Sequence, residues 1–204
     1  SDIPEVYSIA LGSCDISLYE MVGAMSVFAN KGVYTEPWFI TRIEDKNGNT
    51  LQSFTAKTQE VISEETAYLM IRLMQGVVDG GTGVRLRYKY GLDSPIAGKT
   101  GTTQNQSDGW FMGITPDLVA GVWVGCEDRA AHFRSITLGQ GANTALPIWG
   151  LFMQRLYADA SINISKRDFD APAGAIDVNL DCSDGVPGSP AREKKNEVID
   201  TDEF

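Results

Sequence analysis

Three apolar runs in close succession constrain this chain more than any other feature. Pro95 to Thr103 centres on Ile96-Ala97-Gly98, Trp110 to Ile114 follows a polar stretch from Gln104 to Asp108, and Leu118 to Val124 follows Thr115-Pro116-Asp117. Each run has the length of a strand. A parallel pair would need a crossover of about a dozen residues, so connections this short imply an antiparallel meander.

The flanks read as helices. Ser17-Leu-Tyr-Glu20 is a capping box, in which the serine caps and the glutamate reaches back. Leu18, Met21, Val22, Met25 and Phe28 then recur at helical spacing until Gly32. A second helix should start at Ser63, with Glu64 and Glu65 at its positive end, bury Leu69, Met70, Leu73, Met74, Val77 and Val78, and stop at Gly80-Gly81. A third should be capped by Asn143 or Thr144, carry Pro147 in its first turn and bury Trp149, Phe152, Met153 and Leu156. Phe39 to Glu44 and Thr50 to Phe54 flank Asp45-Lys46-Asn47-Gly48, which predicts a hairpin with a type I′ turn. Arg85, Arg87 and Lys89 read as a solvated basic loop. The class is therefore α+β, an antiparallel sheet flanked by helices.

Composition narrows the function. A net charge of -10 opposes nucleic acid as a partner, because phosphates would be repelled. Part of that charge is local: Asp181 to Phe204 holds seven acids against three bases and few large apolar groups, which predicts an acidic, flexible tail. Residues 1–157 read as the folded portion and 158–180 as an extended arm, with Phe169-Asp-Ala-Pro172 and Ile176 to Leu180 its most strand-like parts. Cys14, Cys126 and Cys182 lie far apart, and His132 is a single histidine. A zinc site, a disulfide scaffold or a Ser-His-Asp triad is not expected, and neither is a metal or another cofactor. No apolar run approaches the roughly 18 residues needed to cross a bilayer, and the opening Ser-Asp-Ile-Pro does not read as a targeting leader.

The segment with the chemistry is Gly98-Lys99-Thr100-Gly101-Thr102-Thr103. It ends as a nucleotide-binding P-loop would, but the first glycine of that pattern would fall on Asp93, and the chain runs on into a polar loop and a strand instead of a helix. As a strand it offers different chemistry. Lys99 supplies a fixed cation. Thr100 and Thr102 share a face, since side chains alternate with period two, and could both bond a carboxylate. Gly101 between them leaves room for a peptide main chain to approach and pair with the edge.

Around that segment the likeness to a family becomes specific. Lys99-Thr-Gly-Thr-Thr103, Asp108-Gly-Trp-Phe-Met-Gly-Ile-Thr-Pro-Asp117 and Val119-Ala-Gly-Val-Trp-Val-Gly125 resemble the matching run of class A penicillin-binding proteins. So do Ile9-Ala-Leu-Gly-Ser13, Leu18-Tyr-Glu-Met-Val22, Phe28-Ala-Asn-Lys-Gly32 and the loop Val77-Val-Asp-Gly-Gly-Thr-Gly83. The resemblance spans Ile3 to Tyr157 and implies the C-terminal part of a transpeptidase domain with a β-lactamase-like fold. By that likeness Lys99 is the third-motif lysine, Thr100 and Thr102 bind carboxylate, and the Thr102 N–H is an oxyanion donor. Gly101, Thr103 and Trp110 line the substrate side. The implied partners are stem peptides ending in D-Ala-D-Ala and β-lactams, on the periplasmic face of the cytoplasmic membrane, in a protein that also carries a glycosyltransferase.

The departures carry as much weight. No serine here is followed by lysine three positions on, and the one Ser-x-Asn, Ser161-Ile162-Asn163, follows Lys99 where the family's precedes it. The nucleophile, the second motif and the membrane anchor are therefore expected upstream of residue 1. The chain alone is expected to be inactive, and prone to self-association or to pairing with the N-terminal part of the same protein. A D,D-carboxypeptidase or β-lactamase fragment, or a non-catalytic binding or scaffold domain, are the alternatives.

Overall fold

The structure is a computed structural model that describes residues 3–174 together with Val178 and Leu180. The acidic segment 181–204 and most of the strand-like stretch from Ile176 lie outside the described residues.

The predicted meander is the centre of the fold. Strands β5 (Ala97–Thr102), β6 (Gly109–Thr115) and β7 (Leu118–Val124) form an antiparallel sheet in the order β5-β6-β7. Gly101 pairs with Trp110, Thr100 with Phe111 and Lys99 with Met112, and Phe111 pairs onward with Val122. Helices cover both faces. On one, α1 (Leu18–Ala29) and α2 (Glu64–Asp79) pack Met25, Ile71 and Met74 against Ala97, Met112 and Ile114. On the other, α5 (Ala145–Ala158) packs Leu146, Trp149 and Met153 with Phe111, Ile96 and Leu86.

Period-two alternation sorts β6 between these layers. Phe111 meets Trp149 edge-on, ring centroids 5.3 Å apart, and the Trp149 indole donates to the Ala120 carbonyl at 3.1 Å. Such a ring pair adds ~0.5–1.5 kcal/mol to the burial of both side chains. Gly113 faces the same indole, and any Cβ there would enter the ring.

The helix ends follow the sequence closely. At α1, Glu20 N–H donates to Ser17 Oγ at 3.2 Å and Ser17 N–H to Glu20 Oε2 at 2.9 Å, completing the capping box. Ser63 caps α2, accepting from Thr66 N–H at 3.2 Å, and Gly80 ends it. The buried face of α2 differs from its expected stripe: Ala67, Ile71, Met74, Gln75 and Val78 point inward, while Leu73 is 51% exposed. The sheet covers only one side of this helix, and Leu73 lies beyond it. Phe152 of α5, expected inside, is likewise 46% exposed, because α5 contacts the sheet through Trp149 and Met153. Thr144 stands at the N-cap of α5 without capping it; its hydroxyl donates to the Gln140 carbonyl at 3.1 Å.

Two expectations are corrected. The hairpin exists as β2 (Arg42–Glu44) and β3 (Thr50–Ser53), but its turn is not type I′. Only Gly48 takes a positive φ, at 84°; Gly48 N–H bonds the Asp45 carbonyl at 3.1 Å, and the Asp45 carboxylate accepts from the N–H of Asn47 and Asn49. That carboxylate favours the wider turn, and the strand register shifts between Ile43 and Glu44. The basic loop is also not simply solvated. Arg85–Tyr88 form the short helix α3, and Arg87 donates to Asp79 and to the carbonyls of Leu92 and Ser94. It ties the end of α2 to the approach of β5.

The remaining pair, β1 (Val33–Thr35) and β4 (Thr58–Glu60), brackets the hairpin, and α4 (Ile136–Gly139) precedes α5. The arm after α5 has no strand among its described residues and returns to the domain. Phe169 packs on the α1/α2 layer, Ser165 N–H donates to Asp117 at 2.9 Å, and Arg167 bridges Asp117 and Asp170.

Candidate active site

Strand β5 is an edge strand, paired with β6 on one side only among the described residues. Thr103 N–H crosses to the Asp108 carbonyl at 3.1 Å, which sets the phase of hydrogen bonding along the strand. By alternation Lys99 and Gly101 turn their N–H and C=O toward β6, while Thr100 and Thr102 turn theirs to the open edge. The Lys99 ammonium folds onto that edge and donates to the Thr100 carbonyl at 2.7 Å. Lys99 is exposed, and among the described residues no carboxylate forms an ion pair with it.

The side chains divide between the faces. Thr100 and Thr102 project to the α5 side, each met by a loop. The hydroxyls of Thr100 and Thr82 lie 2.8 Å apart, and Thr102 Oγ1 accepts from Gly141 N–H at 3.0 Å. Gly141 rests on the backbone of Gly101 and Trp110 so closely that a Cβ would overlap both carbonyl oxygens. Lys99, Gly101 and Trp110 belong to the opposite face. A Cβ on Gly101 would meet Trp110 Cβ at 3.1 Å, and Trp110 packs half-buried against the α1/α2 layer.

Of the residues singled out by sequence, the structure thus brings Lys99, Thr100, Gly101 and Thr102 to one open edge. Trp110 stands beside Gly101, on the other face from the threonine hydroxyls. Thr103 is committed to its turn: its hydroxyl donates to Asp108 Oδ2 at 3.0 Å, accepts from Asp108 N–H at 2.9 Å and lies 2.9 Å from Ser107 Oγ. His132 is exposed on the connection after β7, its Nδ1 3.0 Å from the Phe133 carbonyl.

Sequence reasoning missed Asp108 and Gly141, and located Thr82 without a role. Asp108 ties the end of β5 to β7 by accepting from the Trp123 indole at 3.0 Å as well as from Thr103 and Ser107, with Arg129 at 3.5 Å. Partial burial alone would raise its pKa. The bonds from Trp123, Thr103 and Ser107 and the charge of Arg129 outweigh that and hold it below the ordinary carboxylate value. An aspartate just before a strand gave no signal of this role, because Trp123 and Arg129 lie far from it along the chain.

A cation, two co-facing hydroxyls and outward main-chain groups on an open strand suit an extended peptide ending in a carboxylate. Residues 5–127 match the model of the penicillin-binding protein transpeptidase domain. The chain belongs to that family. This transpeptidase segment is 34% identical over 183 residues to penicillin-binding protein 1A of Aquifex aeolicus, covering 88% of the chain and 23% of that relative. It is 38% identical over 159 residues to penicillin-binding protein 1A of Clostridium acetobutylicum, covering 78% of the chain and 18% of the relative. Among solved structures it resembles penicillin-binding protein 1A from Haemophilus influenzae with a TM-score of 0.68 and 26% identity, covering 78% of this chain and 29% of that one. A second, penicillin-binding protein PonA1 from Mycobacterium tuberculosis, gives a TM-score of 0.68 at 25% identity, covering 84% of the transpeptidase segment and 45% of that chain. The segment therefore spans less than half of each of these relatives.

Proposed function

We propose that this transpeptidase segment forms the acyl-donor wall of a D,D-transpeptidase that crosslinks peptidoglycan stem peptides. The observation that carries the reading is the open edge of β5, with Thr100 and Thr102 on one face and their main-chain groups turned outward. A peptide ending in D-Ala-D-Ala, or a β-lactam in its place, lies along that edge. Its terminal carboxylate takes the two hydroxyls. Its scissile carbonyl oxygen takes the Thr102 N–H, a donor worth ~3–4 kcal/mol once the carbonyl becomes an oxyanion. Lys99 supplies positive charge near the attacking oxygen, and Gly101 lets β5 lie close against Trp110. Trp110 supports Gly101 from the far face, and Thr103 holds the turn that ends the strand.

The attacking serine has to come from outside these residues, since none of the serines here has a lysine three positions on. Acyl transfer cannot proceed without it, so the 204 residues alone are inactive. Their natural partner is the portion of the same protein that carries Ser-x-x-Lys and Ser-x-Asn, and the site faces the periplasm, where stem peptides are found. The described residues contain no helix long and apolar enough to cross a membrane.

Fluorescent penicillin tests this. The chain by itself should take no label. The chain joined to the Ser-x-x-Lys portion of a class A relative should label, and Lys99→Ala should abolish the signal. Labelling of the chain alone, or indifference to Lys99→Ala, would refute the assignment.

A further inference from the structure

The loop Gly80 to Gly83 has no assigned part in carboxylate recognition, yet it delivers a hydroxyl to the centre of the proposed subsite. Its position is tightly set. The Val77 carbonyl accepts from the N–H of both Gly81, at 3.2 Å, and Gly83, at 2.9 Å. A Cβ on Gly81 would lie 2.9 Å from that oxygen, and one on Gly83 3.1 Å from it, so the loop wraps tightly on the last turn of α2. Thr82 is held between these glycines, its hydroxyl 2.8 Å from that of Thr100.

A hydroxyl has one proton to donate and two lone pairs to accept with. Gly141 N–H can only donate, so Thr102 Oγ1 must accept there, and its own proton remains free to point at a ligand. Thr100 stands on the same face, and among the described residues its hydroxyl has Thr82 as its hydrogen-bond partner. Two donors aimed at one anion are obtained when Thr82 donates to Thr100 as Gly141 does to Thr102. The bond joins exposed groups, where water could serve each partner almost as well, so its contribution to stability is small. Its effect is on orientation.

We propose that Thr82 is a positioning residue for the carboxylate subsite: its hydroxyl donates to Thr100 Oγ1 and thereby leaves the Thr100 proton directed at the C-terminal carboxylate of the bound peptide. The inference rests on the carboxylate reading of Thr100 and Thr102 given above. It extends the subsite from one strand to a three-part clamp of the loop after α2, strand β5 and the segment before α5.

The test is an NMR titration of the 204-residue chain with diacetyl-Lys-D-Ala-D-Ala and with its C-terminal amide. The chain should prefer the acid, shifting the amides of Thr100, Thr102 and Gly141. Thr82→Val, nearly equal in volume, should weaken binding of the acid about fivefold, the worth of one neutral hydrogen bond, and leave the amide's affinity unchanged. Thr82→Ser should behave as the parent. Equal weakening of acid and amide, failure of Thr82→Ser to restore the preference, or a Thr82→Val titration identical to the parent's would each overturn the role of Thr82. If that happens while Thr100→Val and Thr102→Val still abolish the preference, the carboxylate reading survives alone. No preference for acid over amide in the parent chain would sink both.

Discussion

Replacing Asp108 with alanine should destabilise the chain by about 3 kcal/mol, most of it from two hydroxyls left without their charged acceptor. The Asp108 side chain is 13% exposed and lies 3.0 Å from Thr103 Oγ1 and 3.1 Å from Ser107 Oγ. Ser107 is 5% exposed, so water cannot readily replace the carboxylate there. Hydrogen bonds to a charged group contribute ~1.5–3 kcal/mol each, reduced here because the two hydroxyls lie 2.9 Å apart and can bond one another once the carboxylate is gone. The third bond comes from Trp123, 40% exposed, whose indole can turn to water, so its loss costs less than about 1 kcal/mol. Arg129 is 67% exposed and its ion pair contributes about zero.

Urea unfolding followed by tryptophan fluorescence measures the difference, with an unchanged m-value showing that the same surface is exposed. The pH dependence follows from the depressed pKa of Asp108. A carboxylate whose folded-state pKa lies below its unfolded value contributes its full stability above the unfolded value and loses it as pH falls through the folded one. The gap between the parent and Asp108→Asn should therefore be constant through neutrality and close in acid, below the ordinary carboxylate range. A loss under about 1 kcal/mol for Asp108→Ala would show that the Asp108 network contributes little, against the net worth expected of buried charged hydrogen bonds. A gap that widens in acid would refute the sign.

Three further outcomes follow from the packing. Gly141→Ala should cost ~1–3 kcal/mol in urea unfolding, since its Cβ meets the carbonyl oxygens of Gly101 and Trp110, and should displace the Thr102 amide resonance as the Gly141 bond is lost. Ser17→Ala should remove about 1 kcal/mol through the capping box, read by denaturant midpoint and by faster amide exchange in the first turn of α1. Trp149→Ala should cost ~3–5 kcal/mol, because a fully buried ring that also bonds the Ala120 carbonyl leaves a large cavity; a loss below about 2 would mean that α5 re-seats on the sheet.

The chain's own pattern determined the meander, the three long helices, the Ser17 and Ser63 caps and the strand that carries Lys99, Thr100 and Thr102. These depend on neighbours within a few residues: alternation within a strand, helical spacing, a serine three positions before a backbone donor. Tertiary structure decided what depends on distant partners. Leu73 and Phe152 satisfy the helical pattern but point past the sheet. Arg87, one charge in a basic run, gained four acceptor contacts only once α2 and β5 had converged on it. Thr82 and Gly141, separated in sequence from Thr100 and Thr102, reach their hydroxyls because the loop after α2 and the segment before α5 both come to the same face of β5. Spacing records local conformation, whereas a hydrogen bond across 39 residues, as from Gly141 to Thr102, exists only after the core has closed.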